Sequence, residues 1–206
     1  MPRFSQLAYL VFCAVAGVFG AGLFAPVLAA GMPAMPIGGI TSQPIGHFEF
    51  CQAHRNECRA HRGNTGPARL TDYGWQAVQT INLSVNATIE PVTDEELYGR
   101  EEVWSYPKNG AGDCEDFVLE KRRRLIKAGF SATDLLITVV RKPNGEGHAV
   151  LTLRSTQGDY VLDNLSDEIL PWSETPYTFL KRQASFDSGR WVKVETGRDL
   201  PVAALR

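Results

Sequence analysis

The chain contains 206 residues, of which 44% are hydrophobic, and it carries a formal net charge of −2. This length suits one globular domain plus an export segment, and the apolar fraction is enough for a hydrophobic core. The 21 basic residues do not outnumber the 23 acidic ones, so nothing in the charge balance indicates a nucleic-acid partner. Four cysteines are too few for a disulfide-rich scaffold.

The N-terminus has the features of a targeting segment. Arg3 is followed by an uncharged apolar run over residues 7–28, and residues 27–29 (Val-Leu-Ala) fit a signal-peptidase site. We predict a signal peptide over residues 1–29, with Ala34 as a second choice of cleavage site. A retained membrane anchor is the competing interpretation, because the run is long enough to span a bilayer. Both interpretations place the folded part outside the cytosol, in the periplasm or secreted.

The rest of the sequence divides into a linker and one domain. Residues 30–47 are rich in Gly, Pro, Met and Ala without a period, which predicts a linker, and residues 48–206 form the predicted folded domain. Within it, Thr71 precedes an apolar pattern of helical period, which predicts a helix over residues 72–87. Thr93 is the expected N-cap of a second, short helix.

A third helix is expected to begin at Asp113, with Asp116 as a partner in a motif like the capping box. It should run through Lys127 and end at Gly129. The segment Lys121-Arg122-Arg123-Arg124, with Lys127, predicts a solvated basic patch on its second half.

Period-two patterns replace the helical period after this point. They predict strands over residues 135–140, 148–153, 159–162 and 191–195. Helices followed by an antiparallel meander indicate an α+β fold.

One cysteine stands at the expected start of the third helix, in the segment Gly-Asp-Cys-Glu-Asp-Phe that contains Cys114. A helix N-terminus favours a thiolate, and its N–H groups can stabilise an oxyanion. His148 starts one predicted strand and Asp163 ends the next, so an antiparallel pair would bring them together. A thiol, an imidazole that accepts its proton and a carboxylate that orients the imidazole are the parts of a cysteine-nucleophile enzyme. We therefore predict a catalytic triad of Cys114, His148 and Asp163.

Three acids surround this cysteine, namely Asp113, Glu115 and Asp116. Acids in a first helical turn complement the helix dipole, which accounts for one or two of them. All three beside one thiol would oppose its ionisation. Since Ca²⁺ prefers oxygen ligands, we hypothesise that these residues bind Ca²⁺, which offsets the repulsion.

The segment around Cys114, with Trp104 and Pro107 upstream, resembles the bacterial transglutaminase-like cysteine proteinase family, over about residues 70–175. Gly-His-Ala-Val at His148 and Leu-Asp-Asn at Asp163 fit the same pattern. The best-known members are LapG-type periplasmic proteases that cleave large surface adhesins.

The resemblance implies a papain/transglutaminase-like fold, with the cysteine-bearing helix packed on an antiparallel sheet, and the same triad of Cys114, His148 and Asp163. It also implies calcium at Asp113, Glu115 and Asp116. The partners it suggests are a protein substrate, a surface adhesin in particular members, and a regulatory membrane protein.

Two further cysteines lie near the start of the predicted domain. In an oxidising compartment Cys51 and Cys58 can form a disulfide. With His54 and His61 they could instead bind zinc, although these spacings fit the usual metal-site pattern poorly. We favour the disulfide.

The sequence therefore predicts an exported, calcium-dependent cysteine endopeptidase. Two alternatives stay open. One is a transglutaminase or amide-transfer enzyme that uses the same triad with an amine as acceptor. The other is a non-catalytic calcium-binding protein.

Overall fold

The computed structural model describes residues 34–63 and 66–195. The predicted signal peptide, residues 1–29, lies outside them. The helices are α1 (Ile45–Ala53), α2 (Asp72–Thr88), α3 (Asp94–Tyr98) and α4 (Cys114–Lys127). The strands are β1 (Ile37–Thr41), β2 (Glu90–Pro91), β3 (Ala111–Gly112), β4 (Leu135–Arg141), β5 (Gly147–Ser155), β6 (Gly158–Leu162), β7 (Leu170–Pro171), β8 (Thr178–Ala184) and β9 (Asp187–Val194).

The larger sheet of the described chain has seven strands in the order β1-β9-β8-β4-β5-β6-β7, and its neighbours pair antiparallel. β4 lies at its centre, between β5 and β8, and six of its seven residues are at least half-buried, so a continuous apolar sequence is suitable there. β4, β5 and β6 follow one another as a meander, as predicted. The α+β prediction is confirmed.

The two helices before the cysteine begin where capping residues predicted them. The hydroxyl of Thr71 accepts a hydrogen bond from the Gly74 amide at 3.1 Å and starts α2. Thr93 and Glu96 form a reciprocal capping box at the start of α3. Such caps satisfy N–H groups that have no partner inside the helix.

The cysteine helix α4 packs against β5 on one side and α2 on another. Phe117, Val118 and Leu125 are buried on it, and each contributes about 1.5–3 kcal/mol through removal of apolar surface from water. Asp113 is the N-cap by position, but its side chain makes no capping hydrogen bond. The predicted capping-box-like pair of Asp113 and Asp116 is therefore wrong, because both carboxylates belong to the acidic cluster described below.

The folded domain begins earlier than residue 48. β1 lies inside the predicted 30–47 linker and pairs with β9, so that part of the prediction is corrected. The backbone amide of Met35 also donates to the buried carboxylate of Asp159 at 2.9 Å. The Gly- and Pro-rich composition of this segment did not indicate a strand. Its pairing partners, Val192 and Val194, lie about 150 residues away in the sequence, so local sequence could not reveal the pairing.

The predicted basic patch is only partly at the surface. Lys121 is 0% exposed and Arg122 is 3% exposed, whereas Lys127 is exposed. Arg122 donates to the Leu135 carbonyl and to the Ser188 hydroxyl, each at 3.0 Å, so its charge is satisfied inside the protein. The helix thus buries two of the cations that the sequence pattern assigned to solvent.

Within residues 34–63 and 66–195, no helix is both long and apolar enough to cross a membrane.

Candidate active site

Two predicted site residues meet at one end of the sheet. His148 is the second residue of β5, and Asp163 follows the last residue of β6. Leu151 pairs with Leu162 in the antiparallel ladder, so both functional side chains lie at the same end of these strands. His148 Nε2 lies 2.8 Å from Asp163 Oδ1, and both side chains are buried. This contact leaves Nδ1 of the imidazole free to accept a proton from another group.

The Asp163 carboxylate is fixed by additional donors. Its Oδ1 accepts a hydrogen bond from the Leu165 amide at 3.0 Å, and its Oδ2 accepts one from the Tyr177 hydroxyl. Burial acts to raise the pKa of Asp163, but the hydrogen bond and charge of His148, with these donors, lower it overall. An ionised carboxylate is thus held against the imidazole, as orientation of the ring requires.

The backbone of Asp163 is held from the opposite side by α2. Asn86 Nδ2 donates to the Asp163 carbonyl at 3.0 Å and to Asp167 Oδ1 at 2.8 Å, and Asn82 Nδ2 donates to the Asp167 carbonyl at 3.1 Å. The sequence analysis missed these two asparagines. Their four-residue spacing on a face that also carries the buried Val78 and Val85 was the available signal.

Cys114 is the first residue of α4, where the helix dipole favours an anion. Its thiol donates a hydrogen bond to Glu115 Oε2 at 2.9 Å. Burial raises the thiol pKa far above its usual range, and the charge of Glu115 raises it further. The backbone amide of Ala149, the residue after His148, opposes this rise. The sulfur therefore lies beside the histidine strand, with its proton directed at a carboxylate.

Cys114 and His148 line one cavity of about 610 Å³. Most of its charged walls are acidic, and among the described lining residues Lys181 is the one Lys or Arg. Other lining residues are Pro44, Ile45, Thr93, Asp94, Glu95, Glu101, Glu102, Trp104, Asp113, Glu115, Val139, Gly147 and Ala149. A thiol and an imidazole open to one cleft can both reach the same bound carbonyl group.

The acids form two overlapping groups. Asp113 and Asp116 lie with Asp94 from α3, with carboxylate oxygens within 4.8 Å of one another. A second group, with the same spacing, contains Asp113, Cys114 and Glu115. The structure therefore brings together two of the three residues predicted to bind calcium, turns Glu115 toward the thiol, and adds Asp94. In the sequence, Asp94 follows the expected N-cap Thr93, a position at which an acid is ordinary.

This acidic cluster has the properties of an incomplete cation site. Asp94 Oδ1, Asp113 Oδ1 and Asp116 Oδ2 are buried, and none has a hydrogen-bond partner among the described residues. Burial, followed by repulsion from neighbouring acids, raises the pKa of Asp113 to about 8. Burial likewise raises the pKa of Asp116 to about 8 and raises that of Asp94. Three clustered aspartates that each carry an unpartnered buried oxygen fit a hard divalent cation such as Ca²⁺.

Gly112 makes this arrangement possible. A Cβ atom at this position would lie 2.5 Å from Asp116 Oδ2. Any side chain there would displace the carboxylate from the cluster, so the glycine before Asp113 has a steric role in the site.

Cys51 and Cys58 are joined by a disulfide, with their Cα atoms 5.6 Å apart. The zinc alternative is not supported, because His54 stacks on Phe50 and His61 lies 2.8 Å from the Ser188 hydroxyl. The imidazole beside the two sulfurs is that of His47. Burial lowers the pKa of His47 to about 3, so it is a neutral core residue that accepts a hydrogen bond from the Trp191 indole.

The fold resembles that of solved bacterial proteins. Legionella pneumophila LapG shares 24% identity, with 58% of this chain and 68% of that chain covered and a TM-score of 0.50. Its calcium-bound form shares 23% identity, with 62% and 75% covered and a TM-score of 0.50. Its EGTA-treated form shares 25% identity, with 59% and 68% covered and a TM-score of 0.51. A search of curated proteins gave no significant match.

The family relationship rests on the sequence as well as on the fold. The sequence model of the family described as bacterial transglutaminase-like cysteine proteinase matches residues 37–199, which is most of the chain. The chain therefore belongs to this family and is a cysteine peptidase.

Proposed function

We propose that the protein is an exported endopeptidase that cleaves peptide bonds with a triad of Cys114, His148 and Asp163. The observation that carries the proposal is the 2.8 Å contact between His148 Nε2 and Asp163 Oδ1 beside a cavity that also exposes Cys114. The backbone N–H of Ala149 forms a hydrogen bond with the Cys114 sulfur. Because Ala149 follows His148 in the sequence, this contact supports the proximity of Cys114 and His148. Cys114 is also the free cysteine of the described chain.

In the proposed reaction, His148 Nδ1 takes the proton of the Cys114 thiol as the sulfur attacks the carbonyl carbon of the peptide bond. The oxyanion of the tetrahedral intermediate is stabilised by backbone N–H groups at the start of α4. His148 then gives its proton to the leaving amine nitrogen, and a thioester remains on Cys114. Water, deprotonated by His148, hydrolyses this thioester, which yields a carboxylate and restores the thiol.

Asp163 contributes through His148 rather than through the substrate. Its carboxylate holds the Nε2 proton, which fixes the tautomer with Nδ1 as the base, and it stabilises the imidazolium that forms. Tyr177 and the Leu165 amide hold this carboxylate in place.

We propose Ca²⁺ as the cation that Asp94, Asp113 and Asp116 would bind, with Glu115 as the adjoining acid. When bound, Ca²⁺ neutralises carboxylates that otherwise oppose a thiolate at Cys114. The unpartnered carboxylate oxygens support this assignment. The solved LapG structures include a calcium-bound form and an EGTA-treated form.

The proposed substrate is a cell-surface or periplasmic protein, an adhesin being the first to test, and a membrane protein is the proposed regulatory partner. Family membership supports a protein substrate. The disulfide between Cys51 and Cys58 supports an oxidising location such as the periplasm. The signal-peptide pattern in residues 1–29 agrees with this location.

The test combines active-site labelling with cleavage mapping. The purified full chain is treated with an electrophilic thiol probe, with Ca²⁺ or with a chelator, and the modified residue is identified by mass spectrometry. Bacterial surface proteins are then incubated with wild type, Cys114→Ala or His148→Ala, and new N-termini are sequenced. We expect calcium-enhanced labelling at Cys114 and new N-termini with wild type only.

Two outcomes would reject the proposal. One is equal cleavage by Cys114→Ala. The other is incorporation of a labelled amine into glutamine-containing proteins without any new N-terminus, which would establish amide transfer instead.

A further inference from the structure

A second cavity lies beside the cavity at Cys114, here called the catalytic cavity. The second cavity has a volume of about 550 Å³, and its walls are the later part of α1 and residues 100–108. The catalytic cavity is bordered by the same two stretches of chain, at Ile45 and at Glu102. Trp104 lines both cavities. The two cavities therefore lie one after the other along a shared pair of walls.

The two walls approach each other most closely at Gly46. A Cβ atom at Gly46 would lie 2.3 Å from Cδ1 of Trp104 and 2.6 Å from the carbonyl oxygen of Glu102. A side chain at this position would push α1 away from the segment that carries Trp104. Farther along, Arg100 Nη2 lies 3.3 Å from Glu49 Oε2, so an exposed ion pair also joins the walls. Local packing thus sets the spacing between the two cavities.

The second cavity has an aromatic lining. The rings of Phe50 and His54 stack with centroids 4.4 Å apart, and Tyr106 meets both rings edge-on at 5.7 and 5.6 Å. The Tyr106 hydroxyl donates to the Glu57 carboxylate, so the polar atom of this ring is already engaged. The lining therefore offers mainly ring surface, which favours an aromatic or large aliphatic partner.

The second cavity is within reach of a polypeptide bound at the catalytic cavity. Ile45 borders the catalytic cavity and Ala53 borders the second one, eight residues later on α1. At a helical rise of 1.5 Å per residue, this separation is about 12 Å, which an extended peptide covers with three or four residues. Ala53 and Lys108 are exposed at the edge of the second cavity, so it opens to solvent.

We propose that the second cavity is a substrate subsite: it binds an aromatic or large aliphatic side chain of the polypeptide, three or more residues from the scissile bond. This inference rests on the proposed function, since it assigns the subsite to the substrate of the same active site. A volume of about 550 Å³ is ample for one such side chain. The side chain lies away from the reacting atoms, so it contributes to KM and to the choice of cleavage site rather than to kcat.

The steric test uses Ala53→Trp, which places a large side chain in the second cavity from an exposed position of α1. Gln52→Trp is the matched control, because it adds the same side chain at the neighbouring exposed position, outside the described lining of this cavity. Ala53→Leu is the second variant, in case tryptophan is poorly accommodated. Melting curves of all variants verify folding.

The substrates for this test are peptides built around a mapped cleavage site. They carry either Phe or Gly at one position, three to five residues from the scissile bond on either side. With wild type and Gln52→Trp, Phe at one of these positions should raise kcat/KM about tenfold over Gly, mainly through a lower KM. Ala53→Trp should cleave the Phe and Gly peptides equally, and Ala53→Leu should show a reduced preference.

A binding test needs no cleavage. N-acetyl-phenylalaninamide is titrated into the full chain carrying Cys114→Ala, and backbone amide shifts are followed by NMR. We expect shifts at residues 103–108 and at the end of α1, with a Kd in the millimolar range, and their loss when Ala53→Trp is added.

Two results would overturn the subsite. One is the same preference for Phe in Ala53→Trp and Ala53→Leu as in wild type. The other is the absence of shifts at residues 103–108 with the phenylalanine probe, whatever the protein cleaves. If the probe binds there but no peptide is cleaved, the proposed peptidase function fails while the second cavity is confirmed as a binding site for aromatic side chains.

Discussion

The two halves of the candidate active site differ in how complete they are. On the sheet, His148 and Asp163 are already joined at 2.8 Å, and Tyr177 and Leu165 support the carboxylate. On the helix, the Cys114 thiol donates to Glu115, and burial together with adjacent acids raises the pKa of the thiol. The sheet half is stabilised by complementary partners, while the helix half is surrounded by like charges. The proposed cation would therefore act on the helix half.

The largest expected effect tests the completeness of the sheet half. Asp163→Asn should lower kcat/KM by about 10³–10⁴-fold, because an amide cannot hold the same tautomer of His148. Steady-state cleavage assays measure this loss, with circular dichroism to verify folding. Glu168→Gln is the matched control, since it removes an exposed acid from the same loop. Near-wild-type activity in Asp163→Asn would show that the 2.8 Å contact is not catalytic.

Calcium should act on the helix half. At a calcium concentration about 100 times Kd, binding should stabilise the fold by about 2.7 kcal/mol, which raises Tm by about 5–10 °C for a chain of this size. A chelator should reverse the shift and reduce labelling of Cys114. Asp94→Asn and Asp116→Asn should diminish the shift, whereas the exposed neighbour Glu95→Gln should retain it. If calcium still raises Tm by the same amount in both Asn variants, calcium binds at another site.

The pH dependence of stability should distinguish the acidic cluster from the rest of the fold. In the metal-free protein the pKa of Asp116 is about 8, above its usual 3.8, so the folded state binds more protons between these values. Stability should therefore fall as pH rises from about 4 to 8, because the unfolded state releases those protons. His47 acts in the opposite direction below pH 6.5, since its folded pKa is about 3.

Melting curves in chelator at pH 5 and pH 8, for wild type and Asp116→Asn, isolate the contribution of the acids. The variant should melt higher than wild type at pH 8, and the difference should shrink at pH 5. If wild type and Asp116→Asn differ in Tm by the same amount at pH 5 and at pH 8, the raised pKa of Asp116 is contradicted.

The smallest expected effect concerns the support of Asp163. Tyr177→Phe removes the hydroxyl that donates to Oδ2 but leaves His148 and Leu165 as donors. Since one of three hydrogen bonds is lost, kcat should fall only about three- to tenfold with little change in KM. Tyr73→Phe is the control, because Tyr73 is 83% exposed. A loss as large as that of Asp163→Asn would make the tyrosine part of the catalytic machinery.

The features predicted correctly from sequence are mainly local ones. Thr71 and Thr93 correctly predicted where two helices begin, because capping depends on a few neighbouring residues. The apolar runs in β4 and β5 indicated strands, and β6 completed the meander. The adjacency of His148 and Asp163 followed from antiparallel pairing of consecutive strands.

The features that were missed depend on distant partners. β8 carries Lys181, Arg182 and Gln183, which look unfavourable for an interior strand. Two of its polar side chains bind remote groups, since Arg182 Nη1 donates to Asp159 Oδ2 and Gln183 Oε1 accepts from the Ile137 amide, each at 3.0 Å. In the same way, Asp94 joins the acidic cluster through tertiary packing, so no spacing rule around Cys114 could include it.

The disulfide between Cys51 and Cys58 tethers a helix that contributes to the cavity wall. Cys51 lies on α1, and the start of this helix, at Pro44 and Ile45, forms part of the cavity wall. The bond to Cys58 can close only where thiols become oxidised. In a reducing compartment α1 would lose its covalent tether, and this wall would be held by packing alone. The redox environment in which the chain matures would thus decide whether this part of the cavity wall is covalently tethered.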